Sequence, residues 1–219
     1  MELISNPIIA ALIVIPILVY SAILHEIAHG YVADRLGDPT ARLMGRLTLD
    51  PRPHIDPFLS ILLPLLLYLT SPIIFGGAKP VPVDPFNLKD GRKDIALVSL
   101  AGPLTNILLA IIATLIIKLF FGDMSFDFLS QDSFIGFVLA TIVRINVLLA
   151  IFNLLPIPPL DGSKVFALIL PEKMADTYLS FSSFGTIILL FLLLFPIGGF
   201  SLMTVVSGLF RFTVGLLGF

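Results

Sequence analysis

Long apolar runs alternate along the chain with short polar stretches punctuated by proline. The first run, from about Pro7 to Arg35, ends at Gly37-Asp38-Pro39. That is a sound helix stop, since glycine suits a left-handed cap and proline bars continuation. Pro16 inside the run predicts a kink. Further runs cover Phe58–Phe75 (interrupted by Pro64 and Pro72), Ile95–Phe121, Phe134–Leu155, about Tyr178–Phe195 and Phe200–Gly218. Between them, Arg46-Leu47-Thr48-Leu49 alternates like a short strand, and Lys79–Val83 reads as an extended, polyproline-II-like or strand segment. The pattern predicts an all-α integral membrane protein. It would be a polytopic helical bundle of about five to six apolar segments, with a re-entrant or broken hairpin and short membrane-associated strands.

Composition agrees. Of 219 residues, 57% are hydrophobic and only 13% charged, unlike a soluble domain of this length. A net charge of −2 gives no basis for a nucleic-acid partner. Cysteine is absent, so disulfides and thiolate ligands are excluded. Any metal site must draw on His25, His29, His54 and carboxylates. Met1-Glu2-Leu3 lacks the basic region of a signal peptide, so the first run is expected to stay in the mature protein. One membrane-embedded domain over residues 1–219 is expected, with a catalytic core at about 7–170 and accessory spans at about 178–218.

The most specific chemistry is His25-Glu26-Ile27-Ala28-His29, toward the end of the first run. On a helix, positions i and i+4 share a face, so two imidazoles can meet one metal ion. Glu26 is then close enough to act as general base on a water there. Polar groups inside an apolar span are costly, which argues against a chance match. A catalytic zinc site usually has three protein ligands and one open position. Asp161, in Leu160-Asp161-Gly162 just beyond the fourth run, is the expected third ligand, giving one zinc per chain. The plainer reading of Leu-Asp-Gly after three prolines is a turn.

Asp161 must return to the membrane side where His29 emerges. If Phe58–Phe75 enters and leaves on one side, the parity is right. Charge supports the same assumption: residues 34–57 and 76–94 each carry four Lys/Arg, which the positive-inside rule assigns to the cytoplasm. The acidic stretch with Asp123, Asp127 and Asp132 then falls outside.

The chain resembles the site-2 proteases. Leu24-His25-Glu26-Ile27-Ala28-His29-Gly30 pairs with Asn153-Leu154-Leu155-Pro156-Ile157-Pro158-Pro159-Leu160-Asp161-Gly162, and Gly102-Pro103-Leu104-Thr105-Asn106 lies between them. The resemblance covers roughly residues 7–170. It implies zinc and peptide-bond hydrolysis within the bilayer, with Glu26, His25, His29 and Asp161 in the roles above. The substrate would be a transmembrane protein segment, and the location a multi-pass position in a prokaryotic plasma membrane. Many relatives carry a PDZ or CBS domain; this chain shows neither.

Asn106 and Asn153 are expected to hold substrate or an oxyanion, and Asn146 to bond between helices. His54 reads as a loop histidine, with contribution to the active site as the alternative. Arg144 needs a partner in its span. The rival class is a metal or proton transporter or a non-catalytic zinc-binding membrane protein. The chain lacks the repeat symmetry and scattered intramembrane charges of transporters.

Overall fold

Asn6 caps the first helix by accepting from the Ile8 N–H at 2.9 Å, and Pro7 occupies the first turn, where a missing N–H costs nothing. Helix α1 then runs over Pro7–Leu36, 30 residues and about 45 Å, continuously through Pro16. Gly37, at φ 120°, ends it with its N–H turned back to the last carbonyls. The computed structural model describes residues 6–70, 76–122, 133–195, 198 and 201–219.

A short α2 (Thr40–Leu43) follows. Asp56 caps a π-helical turn at Pro57–Leu62 that runs into α3 (Leu63–Thr70). After an extended strap come α4 (Arg92–Phe121) and α5 (Phe134–Leu154), the latter capped by Ser133. The chain ends with α6 (Asp161–Phe166), α7 (Glu172–Ser180), α8 (Ser182–Leu194) and α9 (Leu202–Leu216).

Among the described residues, α1, α4 and α5 are the three helices long and apolar enough to cross a membrane. Pro57–Thr70 and Leu202–Leu216 are shorter apolar helices. Of the expected five to six apolar segments, three are helices of spanning length and two are these shorter helices, among the described residues. The last part of the expected Phe58–Phe75 run and the acidic stretch at Asp123–Asp132 lie outside the described residues.

Helix α4 packs against both α1 and α5. Small side chains allow close approach: Ala110 and Ala113 of α4 meet Ala140, Val143 and Val147 of α5, with Val214 of α9 closing the cluster. Val14 and Leu18 of α1 meet Ile145 of α5. The outward face of α4 carries exposed Leu108, Ile112, Leu115 and Leu119, as a lipid-facing surface requires.

The polar segments gather at one end of this bundle. Asp38, just past α1, is fully buried and accepts from the N–H of Asp84 at 2.7 Å and the amide of Asn87 at 2.9 Å. The Thr40 N–H and hydroxyl complete its shell. Burial alone would raise this carboxyl; the hydrogen bonds from Thr40, Asn87 and Asp84 overcome that and hold it below the usual carboxylate range. At the same end, Arg92 donates to the carbonyls of Ala167 and Leu170, both at 3.3 Å.

The expected strands do not form among the described residues. Residues 47–49 form a bend, and 79–83 have no regular secondary structure and no partner strand. The reason is chemical. Pro80 and Pro82 have no N–H to give a ladder. The two segments meet instead through a side chain: Arg46 Nη2 donates to the carbonyls of Lys79 (2.8 Å) and Pro80 (3.2 Å).

Candidate metal centre

His25 and His29 lie one turn apart on α1 and present Nε2 to the same point, 3.0 Å from each other. Asp161, first residue of α6, brings Oδ2 to 3.2 Å from His25 Nε2 and 3.1 Å from His29 Nε2. All three residues are buried, and theirs is the group of potential metal ligands found among the described residues.

The remaining atoms of each ligand are held. His25 Nδ1 lies 2.6 Å from Asn106 Oδ1 of α4, and His29 Nδ1 lies 2.6 Å from the Val98 carbonyl, also of α4. Both partners are acceptors, so both Nδ1 atoms carry hydrogen, and in the neutral imidazoles both Nε2 atoms carry lone pairs. Two lone pairs and a carboxylate oxygen thus converge on one small volume. A proton would relieve one edge of that triangle; a cation at its centre satisfies all three. Lys164 donates to Asp161 Oδ1 at 3.3 Å, leaving Oδ2 for the histidine pair.

Two glycines make room for this arrangement. A Cβ at Gly102 would lie 2.5 Å from the Nε2 atoms of both His25 and His29. A Cβ at Gly162 would lie 2.1 Å from the Leu154 carbonyl oxygen, so only glycine lets α6 tuck under the end of α5. The Ser163 hydroxyl, donating to the Leu160 carbonyl at 2.6 Å, fixes the turn from which Asp161 projects.

Glu26 accepts the Val81 N–H on Oε2 at 2.8 Å, which docks the 76–83 strap against α1. Glu26 and His25 also line a cavity of about 450 Å³. Its remaining walls are mostly apolar, including Leu18, Ile145, Phe152 and Met203, with Gly76 and Gly77 of the strap on one side.

The other expected site residues take different positions. Asn106 is 0% exposed and spends its whole amide on protein: Oδ1 on His25, Nδ2 on Asn146 Oδ1 (2.8 Å) and the Ser21 carbonyl (3.4 Å). It therefore has no donor left for an oxyanion. Asn153 lines the cavity and donates to the Leu149 carbonyl at 3.0 Å, which leaves its second amide hydrogen. His54 is fully buried and is not among the converging ligands, donating from Nε2 to the Thr48 carbonyl at 3.0 Å, while its Nδ1 has no partner. Burial holds its pKa below the ordinary value, Arg46 adds to this, and the Thr48 bond works against it. Gly102, Val98, Val81 and Lys164 were not expected from the sequence as parts of the site. Of these only Gly102 carried a signal, by lying in the Gly-Pro-Leu-Thr-Asn motif.

Residues 11–197 match the profile of Peptidase family M50. The chain belongs to peptidase family M50. This is the site-2 protease family, as the paired motifs implied. Similar proteins include YwhC of Bacillus subtilis, 36% identical over 84% of this chain and 81% of its own length. Rip2 of Mycobacterium tuberculosis is 34% identical over 80% of this chain and 64% of its own length. MJ0611 of Methanocaldococcus jannaschii is 34% identical over 46% of this chain and 49% of its own length. All three bear the description "Putative zinc metalloprotease". No solved structure matches the chain.

Proposed function

We propose that this M50 peptidase is an intramembrane zinc metalloprotease that cleaves peptide bonds in or near transmembrane segments of other membrane proteins. The observation that carries the reading is the triangle of Nε2, Nε2 and Oδ2 at 3.0–3.2 Å, with both imidazoles fixed in the tautomer that exposes a lone pair. Tetrahedral zinc with ligand bonds of about 2.0–2.1 Å has ligand–ligand edges of about 3.3 Å, so the donor set fits that ion in type and size. The space that a Cβ at Gly102 would fill is a second sign of fit. His25, His29 and Asp161 would hold one zinc per chain, and the names of the relatives favour the same metal.

When bound, zinc supplies Lewis acidity to a peptide carbonyl and lowers the pKa of a nearby water. Glu26 takes a proton from the attacking water as the new C–O bond forms, then gives it to the amine nitrogen as the C–N bond breaks. The Val81 N–H orients the carboxylate by holding Oε2, which leaves Oε1 for the proton. Asn153, on the cavity wall, offers its free amide hydrogen to the substrate carbonyl. The apolar cavity beside Glu26 suits the side chains of an unwound transmembrane segment.

We further propose a multi-pass position in a prokaryotic plasma membrane, with the Arg/Lys-bearing end of the bundle in the cytoplasm. The test of the enzymatic reading uses purified protein in detergent. Wild type is expected to hold one zinc per chain, Asp161→Ala to lose it, and Glu26→Gln to keep it while losing hydrolysis of a transmembrane substrate. Full zinc retention in Asp161→Ala would overturn the ligand set. Hydrolysis by Glu26→Gln at the wild-type rate would overturn the mechanism.

A further inference from the structure

A buried chain of polar groups runs from the metal centre into the middle of the helix bundle, and the mechanism makes no use of it. Asn106 and Asn146 are each 0% exposed and Ser21 is 5% exposed. They belong to α4, α5 and α1, so the chain ties together the three long helices. We propose that Asn146, supported by Ser21, is a positioning residue for the metal centre: through Asn106 it locks His25 in the tautomer that can bind metal. The proposal rests on the metal reading of the triad.

The direction of each hydrogen bond follows from the one before it. Asn146 donates both amide hydrogens, to the Ser21 hydroxyl oxygen and to the Ile142 carbonyl, each at 2.9 Å. Its Oδ1 must therefore face Asn106, whose Nδ2 donates to it at 2.8 Å. The second Nδ2 hydrogen of Asn106 goes to the Ser21 carbonyl. Asn106 Oδ1 is then left facing His25 Nδ1, which must donate, and His25 Nε2 carries the lone pair toward His29 and Asp161.

An asparagine amide turned over is nearly the same shape, so sterics alone do not choose between its two orientations. Turned over, Asn106 would give a hydrogen to His25 Nδ1 and move the imidazole hydrogen to Nε2, where it blocks metal binding. In the native bundle that orientation is costly. Asn106 Oδ1 would then face two further acceptors, Asn146 Oδ1 and the Ser21 carbonyl, among fully or nearly fully buried groups. Replacing Asn146 with an apolar residue removes one of the two acceptors. The lock on His25 weakens although no ligand has been touched. Loss of such an outer partner typically costs about 10- to 100-fold in metal affinity.

The experiment compares wild type with Asn146→Leu, Asn146→Asp and Ser21→Ala as purified, folded proteins in detergent. Zinc titration gives affinity, and nitrogen-15 imidazole signals of the metal-free proteins report the His25 tautomer. Expected are a single Nδ1–H form in wild type and a mixture in Asn146→Leu, with zinc bound about 10- to 100-fold more weakly by that variant. Asn146→Asp, whose buried carboxyl in its protonated form gives its hydrogen to the Ile142 carbonyl and keeps an acceptor toward Asn106, should restore most of the affinity. Ser21→Ala should show a smaller loss of the same sign. If Asn146→Leu lowers thermal stability but leaves zinc affinity and the His25 signals unchanged, Asn146 is a strut between helices and the proposal fails. Should that variant not fold, Ser21→Ala decides by the same two readouts. If wild type takes up no zinc, the metal reading fails separately, and the imidazole signals still decide whether Asn146 controls the tautomer.

Discussion

A Cβ at position 102 would stand 2.5 Å from Nε2 of His25 and of His29. Substituting alanine there leaves α4 a better helix former by about 1 kcal/mol. Any loss of metal can then be traced to the site and not to the helix. Gly102→Ala is expected to abolish zinc binding while retaining the helical circular dichroism of wild type; full zinc occupancy in the variant would refute the cradle. The His-Glu-x-x-His pattern was legible because its geometry is local: helical periodicity alone brings positions 25 and 29 together. Asp161 was legible through its motif and through the membrane-side argument. Gly102 and Val98 were not. One contributes the absence of a side chain and the other a backbone carbonyl, and neither has a chemical signature in a sequence. The expected role of Asn106 differs from its observed contacts for a related reason, since a polar residue beside a site can equally serve substrate or ligand. Only the partner of its oxygen, His25 Nδ1, distinguishes these.

At the scale of elements, the strap at 76–83 depends on one arginine and one glutamate. Arg46 spans the Lys79 and Pro80 carbonyls from outside, and Glu26 takes the Val81 N–H from inside. Both bonds leave from the single Nη2 at the tip of the side chain, a position that the shorter lysine side chain does not reach. Arg46→Lys is expected to speed hydrogen exchange at the Val81 amide and to lower kcat, with zinc content unchanged. Exchange at the wild-type rate would mean that Glu26 alone holds the strap. The C-terminal end of α1 was readable because its signal is short-range, Gly37 followed by Asp38-Pro39, whereas the Asn6 cap at its start emerged only in the structure. The strands were misread because alternation in Arg46–Leu49 and extension in Lys79–Val83 are necessary for pairing but not sufficient. Prolines at 80 and 82 removed donors, and the arginine side chain took the carbonyls a neighbouring strand would need.

For the molecule as a whole, the contacts of Asp38 with Asp84 and Asn87, and of Arg92 with Leu170, gather the polar segments at one end of the bundle. If that end is cytoplasmic, the absence of native cysteine allows a clean test. Single cysteines at Lys89 and Lys173 should react with an impermeant thiol reagent only after cells are opened, whereas one at Asp127 should react in intact cells. Labelling of Lys89→Cys from outside would reverse the orientation. The sequence by itself determined the membrane class, the long helices and their ends, and the metal-binding chemistry, because apolar run length, capping and i,i+4 spacing act within a few turns of chain. Tertiary structure alone decided which atoms meet: that Asp161 closes the triangle with His25 and His29, that α4 supplies the outer partners of both histidines, and that Val81 reaches Glu26. Those contacts join residues far apart in the chain, and their geometry is set by how closely three helices pack, which no local pattern encodes.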